Sequence, residues 1–372
     1  MGALSGIKVI EMAGLAPAPF CGMILADFGA DVVRVDRRGA GSMDTLARGK
    51  RSIAVNLKDP KGVETVLRLT DQADVLLEPF RPGVMERLGL GPDVACGRNP
   101  RLVYARLTGY GQTGPYAPMA GHDINYIAIS GALSVLGRQG EKPTPPINLL
   151  GDFAGGGMLC ALGIALALVE RAQSGKGQVI DAAMVDGAAY LASFIFKFRN
   201  NGMWKDERGT NMLDTAAPFY DTYETKDGGF LSVGAIEPQF YAALLRGLGL
   251  DPATLPHQMD QSRWPTMKEQ VAAVFATRSR DEWSAIFDGT DACVAPVLGM
   301  GEVERHPHNS ERTLMIADPT GKLEPAPAPR LSRTPGSVRR PIPTVGQHTD
   351  EVLGEYGMTP AEIAALRETG AL

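Results

Sequence analysis

Two kinds of apolar block alternate along the first hundred positions. "IKVIEM" (7–12), "ADVVRVD" (30–36), "SIAVNL" (52–57), "ADVLLE" (73–78) and "RLVYARL" (101–107) are short and mostly apolar, which predicts buried strands. Helical signals fall between them. "PFCGMILADFG" ends at Gly29, Asp59 caps a helix with Pro60 at its first position, and a short helix follows Pro82. Such βα repetition implies a parallel sheet with right-handed crossovers.

Beyond residue 150 the pattern changes. Asp152 opens the most apolar helix, "DFAGGGMLCALGIALALVERA", which Gly175 stops. A strand "QVIDAAM" and a helix over about 185–198 follow. The turn "KDGG" and the strand "FLSVGAI" begin an α+β unit, in which Ser279 and Glu282 form a capping box. The proline-rich "EPAPAPRLSRTPGSVRRPIP" reads as an extended strap. The tail reads as two short helices, the second capped by Thr359, with Pro360 first and Glu362 closing the box. The predicted organisation is a parallel-sheet domain over 1–190, a connection over 191–224 and a smaller α+β domain over 225–320. A strap over 321–345 and C-terminal helices over 346–372, docking back on the first domain, complete it.

A chain of 372 residues has the length for two domains. The formal charge of −5 offers no general attraction to nucleic acid or anionic lipid, so any anion site must be local. The four cysteines are scattered without zinc spacing, which predicts reduced thiols and no metal. The N-terminus lacks a signal-peptide pattern, and the apolar run over 158–168 is short for a membrane span. A cytoplasmic protein is expected.

Three features bear on chemistry. "GYGQTG" (109–114) matches G-x-G-x-x-G, but Pro115, Pro118 and Gly121 prevent the helix a dinucleotide fingerprint needs, so it reads as a turn. Arg34, Arg37, Arg38, Arg48, Lys50, Arg51 and Lys58 cluster at strand ends and loops; they suit either ligand phosphates or a solvated surface. Finally His122, Asp152 and Glu237 all stand at glycine- or proline-marked points beside apolar runs. Each has a structural explanation, as core histidine, N-cap and loop acid. Together they suit proton transfer in a semi-buried cleft, and amides at the helix start near Asp152 suit a developing oxyanion.

The strings "GLAPAPFCGMILADFGADVVRVDR", "ARLTGYGQTGP", "AGHDINYIAISG", "NLLGDFAGGG", "GKGQVIDAAMVDG" and "VGAIEPQFY" carry a resemblance that runs from residue 5 to about 350. The chain resembles the α-methylacyl-CoA racemases, a branch of the family III CoA-transferases. That resemblance implies an α/β fold with a Rossmann-like large domain and a smaller α+β domain, in an interlocked homodimer whose active site is shared between chains. It implies His122 and Asp152 as the two catalytic bases, and Glu237 from the other chain as partner of the histidine. It maps CoA contacts onto Arg37, Val55, Asn56, Leu57, Lys58, Gly121, Asp123, Ile124, Asn125 and Tyr126, with Arg81 a further candidate. The implied substrate is a 2-methylacyl-CoA thioester, and no cofactor beyond it is expected. The rival is a family III CoA-transferase with Asp152 as nucleophile. Transferases lack a base matching His122 and usually carry a glycine-rich loop where this chain has "AIEP".

Overall fold

A computed structural model describes residues 2–39 and 45–372. Strands β1 (Lys8–Met12), β2 (Asp31–Arg37), β3 (Arg51–Val55), β4 (Val75–Glu78), β5 (Val103–Thr108) and β6 (Val179–Ala183) form a parallel sheet, in the order β3-β2-β1-β4-β5-β6. The two-residue period of a strand explains why these runs are apolar almost throughout. Val9, Val32, Val75 and Val103 enter one core, packed with α1 (Pro17–Asp27). Their neighbours Ile10, Val33, Leu76 and Tyr104 enter the other, with α2 (Pro60–Thr70), α3 (Val84–Arg87) and α4 (Pro92–Arg98). Each fully buried aliphatic side chain contributes about 1.5–3 kcal/mol. Strand order reverses between β1 and β4, and ligands of such sheets sit beyond the carboxyl ends at that point.

After β5 comes α5 (Asp123–Ile129). The helix expected from Asp152 instead starts at Leu149 with wide π-helical turns to Met158 and continues as α6 (Leu159–Ser174), ended by Gly175 in the left-handed conformation. Asn148 is its cap residue, so Asp152 lies within the first turn and is not the N-cap. The continuous run Leu149–Ser174 spans 26 residues and contains an 18-residue stretch of mean hydropathy 1.8, long and apolar enough by length and composition to cross a bilayer, which corrects the expectation of a short run. It packs on α1 and the sheet, and Arg171 near its end pairs with Asp74 at 2.7 Å. The single helix expected over 185–198 is two, α7 (Met184–Leu191) and α8 (Ser193–Asn200).

The chain divides into two compact units, residues 1–131, 146–192 and 315–372 forming one and residues 132–145 and 193–314 the other. In the second unit β7 (Tyr220–Glu224), β8 (Phe230–Gly234) and β9 (Val294–Pro296) make an antiparallel sheet. Around it stand α9 (Pro238–Leu248), α10 (Trp264–Phe275), α11 (Arg280–Phe287) and α12 (Pro307–Glu311). Its core is aromatic, built on Phe219, Tyr223, Trp264, Phe275 and Trp283. The Ser279 capping box forms, with the Glu282 amide donating to Ser279 Oγ at 3.2 Å and the Ser279 amide donating back at 2.8 Å.

The returning chain pairs β10 (Met315–Ala317) with β11 (Leu323–Pro325), then forms α13 (Thr349–Glu355) beside β3 and α14 (Pro360–Glu368) against α13. An edge strand leaves alternate amides unpaired, and here the tail takes them. Ser52 N donates to His348 Nδ1 (3.2 Å) and Ala54 N to Thr349 Oγ1 (3.3 Å). Asn56 N, just past the strand, donates to the Ala371 carbonyl (2.8 Å).

Candidate active site

Arg37 ends β2, Val55 ends β3, Arg81 follows β4, and Gly121 through Tyr126 follow β5. All of them therefore gather toward the carboxyl edge of the sheet. Arg37, Lys58 and Arg81 are exposed and make no ion pair among the described residues. Arg38 is exposed as well. The other four members of the basic cluster are structural, which corrects for them both the phosphate reading and the solvated-surface reading. Arg34 pairs with Asp36, Arg48 with Asp27 and Glu324, Lys50 with Glu11, and Arg51 with Asp31, Glu351 and Glu355. These four are buried. Val55 is buried, Leu57 packs on the core, and Asn56 is half-buried.

His122 is the N-cap residue of α5 and its ring is exposed. Asn125 Oδ1 accepts from the His122 amide at 3.0 Å, and the Asn125 amide donates to the His122 carbonyl at 2.8 Å. The main chain that carries the imidazole is thereby fixed. Ile124 is exposed beside it. Tyr126 turns inward, its hydroxyl donating to the Gly121 carbonyl and its ring lying edge-on to Tyr110 at 5.0 Å. Burial first, and then the Asp152 carboxylate, push the phenol up to about 12, against the opposing field of Arg81. A Cβ at Gly109 or Gly121 would strike the Tyr126 ring. The glycines at these two positions thus make room for an aromatic ring.

Asp152 is half-buried on the wide-turned helix. Asn148 Nδ2 donates to its Oδ2 at 3.2 Å. Its pKa is raised above the ordinary 3.8, chiefly by burial; Asn148 opposes the shift, Asp123 adds to it, and the nearby His122 opposes it. His122 thus lies close enough to Asp152 for its charge to bear on that carboxylate.

Asp123 is what joins them. It is buried, and its Oδ2 accepts the amides of Gly151 (2.6 Å) and Asp152 (2.7 Å). The expectation that amides beside Asp152 are open to an oxyanion is corrected for these two, because Asp123 already occupies them. A Cβ at Gly151 would lie 2.7 Å from that carboxylate oxygen. One at Gly155 would lie 2.9 Å from the Ala188 amide, and one at Gly157 2.6 Å from the Pro17 carbonyl. The run "GDFAGGG" thus lets the Asp152 helix sit against α5, α7 and α1. Sequence reasoning missed this role; the signal was three glycines inside an apolar helix, where they lower helix propensity and need a packing reason.

Glu237, in the second unit, is the N-cap residue of α9 with Pro238 at the first position, and its side chain is exposed. Cys293 lies within its field; burial first, then Glu237 and Asp291, push that thiol up. Among the described residues no group of three or more His, Cys, Asp and Glu side chains is arranged to hold a metal ion.

The chain is 58% identical over 365 residues to a Mus musculus protein described as alpha-methylacyl-CoA racemase, covering 98% of this chain and 96% of that one. It is 56% identical over 367 residues to the Homo sapiens protein of the same description, with the same coverage of 98% and 96%. Among solved structures, a CAIB/BAIF family protein from Brucella suis superposes with a TM-score of 0.81 at 25% identity, over 95% of this chain and 99% of that one. Residues 4–349 match CoA-transferase family III, and with relatives this similar along nearly the whole sequence the chain belongs to that family.

Proposed function

We propose that this chain interconverts the (2R) and (2S) forms of 2-methylacyl-CoA thioesters by moving a proton off and onto the α-carbon. The observation that carries the reading is the pairing of an exposed imidazole, His122, with a half-buried carboxylate, Asp152, on elements tied together through Asp123. Full-length similarity to two racemases supports it.

A thioester carbonyl acidifies the α-hydrogen by delocalising the resulting carbanion onto its oxygen. One base removes the proton from one face, and the conjugate acid of the other returns a proton to the opposite face. The two groups exchange roles when the enantiomer is reversed. This works best when their pKa values approach each other, and burial moves Asp152 upward in the required direction. The enolate oxygen would be held by amides at the start of α5. The Gly151 and Asp152 amides are engaged by Asp123, and the His122 amide by Asn125. The reaction so written draws on no cofactor beyond the CoA of the substrate.

The CoA moiety would lie along the carboxyl edge of the sheet, its phosphates met by Arg37, Lys58 and Arg81 and its chain passing Gly121 to Tyr126. In this reading the chain works as a homodimer, in which Glu237 of the partner subunit orients the His122 ring and favours its charged form. Leu162, Leu166 and Val169 on α6, with Met158 just before it, are all exposed, as are Val179 on the edge strand β6 and Tyr190 and Leu191 on α7. An apolar surface of that extent supports a protein partner.

The test is to supply one pure enantiomer of a 2-methylacyl-CoA together with a labelled free carboxylic acid. Racemisation of the thioester with no label entering a new thioester is the expected result. Label transfer without racemisation would favour the rival, in which Asp152 is a nucleophile.

A further inference from the structure

The segment 55–58 leads from β3 into the cap of α2, and its geometry is set from the far end of the chain. Besides the Asn56 amide bond to Ala371, Asn56 Nδ2 donates to the Gly370 carbonyl at 3.1 Å. Its other side-chain atom, Oδ1, accepts from the Lys58 amide at 3.1 Å. The Asn56 carbonyl accepts from the Asp59 amide at 3.1 Å, and Asp59 in turn caps α2 through Lys61 N at 2.8 Å. The Asn56 side chain is thus engaged on both sides, and only Lys58 of this segment presents an exposed cation. Ala371 is fully buried, and Leu372 packs in the same core as Val55. Gly370 has φ +78, which lets the tail turn in beneath Asn56.

We infer that Asn56 is a positioning residue rather than a CoA ligand, and that through it the tail 370–372 fixes the direction in which Lys58 meets the nucleotide phosphates of CoA. The inference rests on the reading of 55–58 as a CoA-contacting segment. The physical reason is entropic as well as geometric. A lysine on an unconstrained loop must be ordered when the phosphate binds, whereas one on a loop hydrogen-bonded at both ends has lost much of that freedom already. The consequence is selective. Disturbing the tail should weaken interactions with the nucleotide half of the substrate and spare chemistry at the thioester.

The experiment compares a 2-methylacyl-CoA with the matching 2-methylacyl pantetheine thioester, which lacks the nucleotide. It uses the full-length protein, Asn56→Ala, a variant lacking residues 370–372, Lys58→Ala, and the double variant Asn56→Ala with Lys58→Ala. The ratio of kcat/KM for the CoA ester to that for the pantetheine ester should fall about tenfold in Asn56→Ala and in the tail deletion, through KM. The double variant should be no worse than Lys58→Ala alone, because both act on one contact. Equal loss on both esters, or additive losses in the double variant, would overturn the inference. If Lys58→Ala leaves the ratio unchanged, the assignment of 55–58 to CoA fails first. If Lys58→Ala lowers it while the other two do not, only the coupling fails. Should the deletion variant not fold, Asn56→Ala and the double variant still decide the matter.

Discussion

Asp123 Oδ2 accepts the main-chain amide of Asp152 at 2.7 Å, although Asp123 is itself the residue next to His122. One buried carboxylate therefore stands between the two proposed bases, holding the turn that carries one while being chained to the other. Its bond to Gly151 at 2.6 Å doubles the hold. A carboxylate accepting two amides makes charge-assisted bonds, roughly twice as strong as neutral ones.

Asp123→Ala leaves the Gly151 and Asp152 amides without their acceptor. A buried donor left unsatisfied costs about 1–3 kcal/mol, and a displaced base costs rate, on the order of a hundredfold in kcat. Asp123→Asn keeps an acceptor oxygen and should lose less of both. Thermal unfolding and racemisation rates of the two variants check this; an Asp123→Ala enzyme of full activity would refute the role.

Asp152 gives a stability prediction with a definite sign. Its folded pKa lies above the ordinary 3.8, so between those two values the folded state holds more protons than the unfolded one. Stability contributed by this group accordingly falls as pH rises through that window, and the penalty is complete above the folded pKa. Asp152→Asn removes the penalty along with the activity. Its Tm should exceed that of the unmodified protein at neutral pH, and the gap should close as pH drops below about 4. Calorimetry across pH measures both, and a variant less stable at neutral pH would contradict the sign.

Gly187→Ala tests the packing of the Asp152 helix. The new methyl would collide with the Gly155 carbonyl, which is backbone and cannot step aside. Overpacking of this kind costs about 1–3 kcal/mol. Because Gly155 is in the turn after Asp152, kcat should fall as well, and a lower Tm with unchanged kcat would mean the shift is absorbed elsewhere.

Lys50 and Glu11 are both fully buried, with Lys50 Nζ 2.9 and 2.8 Å from the two carboxylate oxygens and 2.8 Å from the Pro19 carbonyl. Lys50→Met takes away the countercharge of Glu11 and should destabilise by about 3–5 kcal/mol. Replacing both by apolar residues should recover most of that loss, as chemical denaturation of the single and double variants would reveal.

Strands β1 to β5 were legible because a parallel sheet covered on both faces writes itself as nearly continuous apolar runs. The caps at Asp59, Ser279 and Thr359 were legible because capping is local chemistry. Long-range structure was not. Nothing in the spacing of Arg48, Lys50 and Arg51 distinguishes a buried ion-paired side chain from a phosphate ligand such as Lys58 is proposed to be. The partners of these three, Asp27, Glu324, Glu11, Asp31, Glu351 and Glu355, come from distant parts of the chain. Asp152 as a helix cap was the local reading of an acid before an apolar run. The wide turns that place it inside the helix arise where glycines press against α1, α5 and α7, which only the folded chain shows.

The central claim is that two different groups serve the two faces of one carbon. It is tested most directly by measuring exchange of the α-hydrogen for deuterium from each pure enantiomer of a 2-methylacyl-CoA, in His122→Ala and in Asp152→Ala. The account predicts opposite asymmetries: His122→Ala should lose exchange mainly from one enantiomer, and Asp152→Ala mainly from the other. Equal loss from both enantiomers in both variants would contradict it.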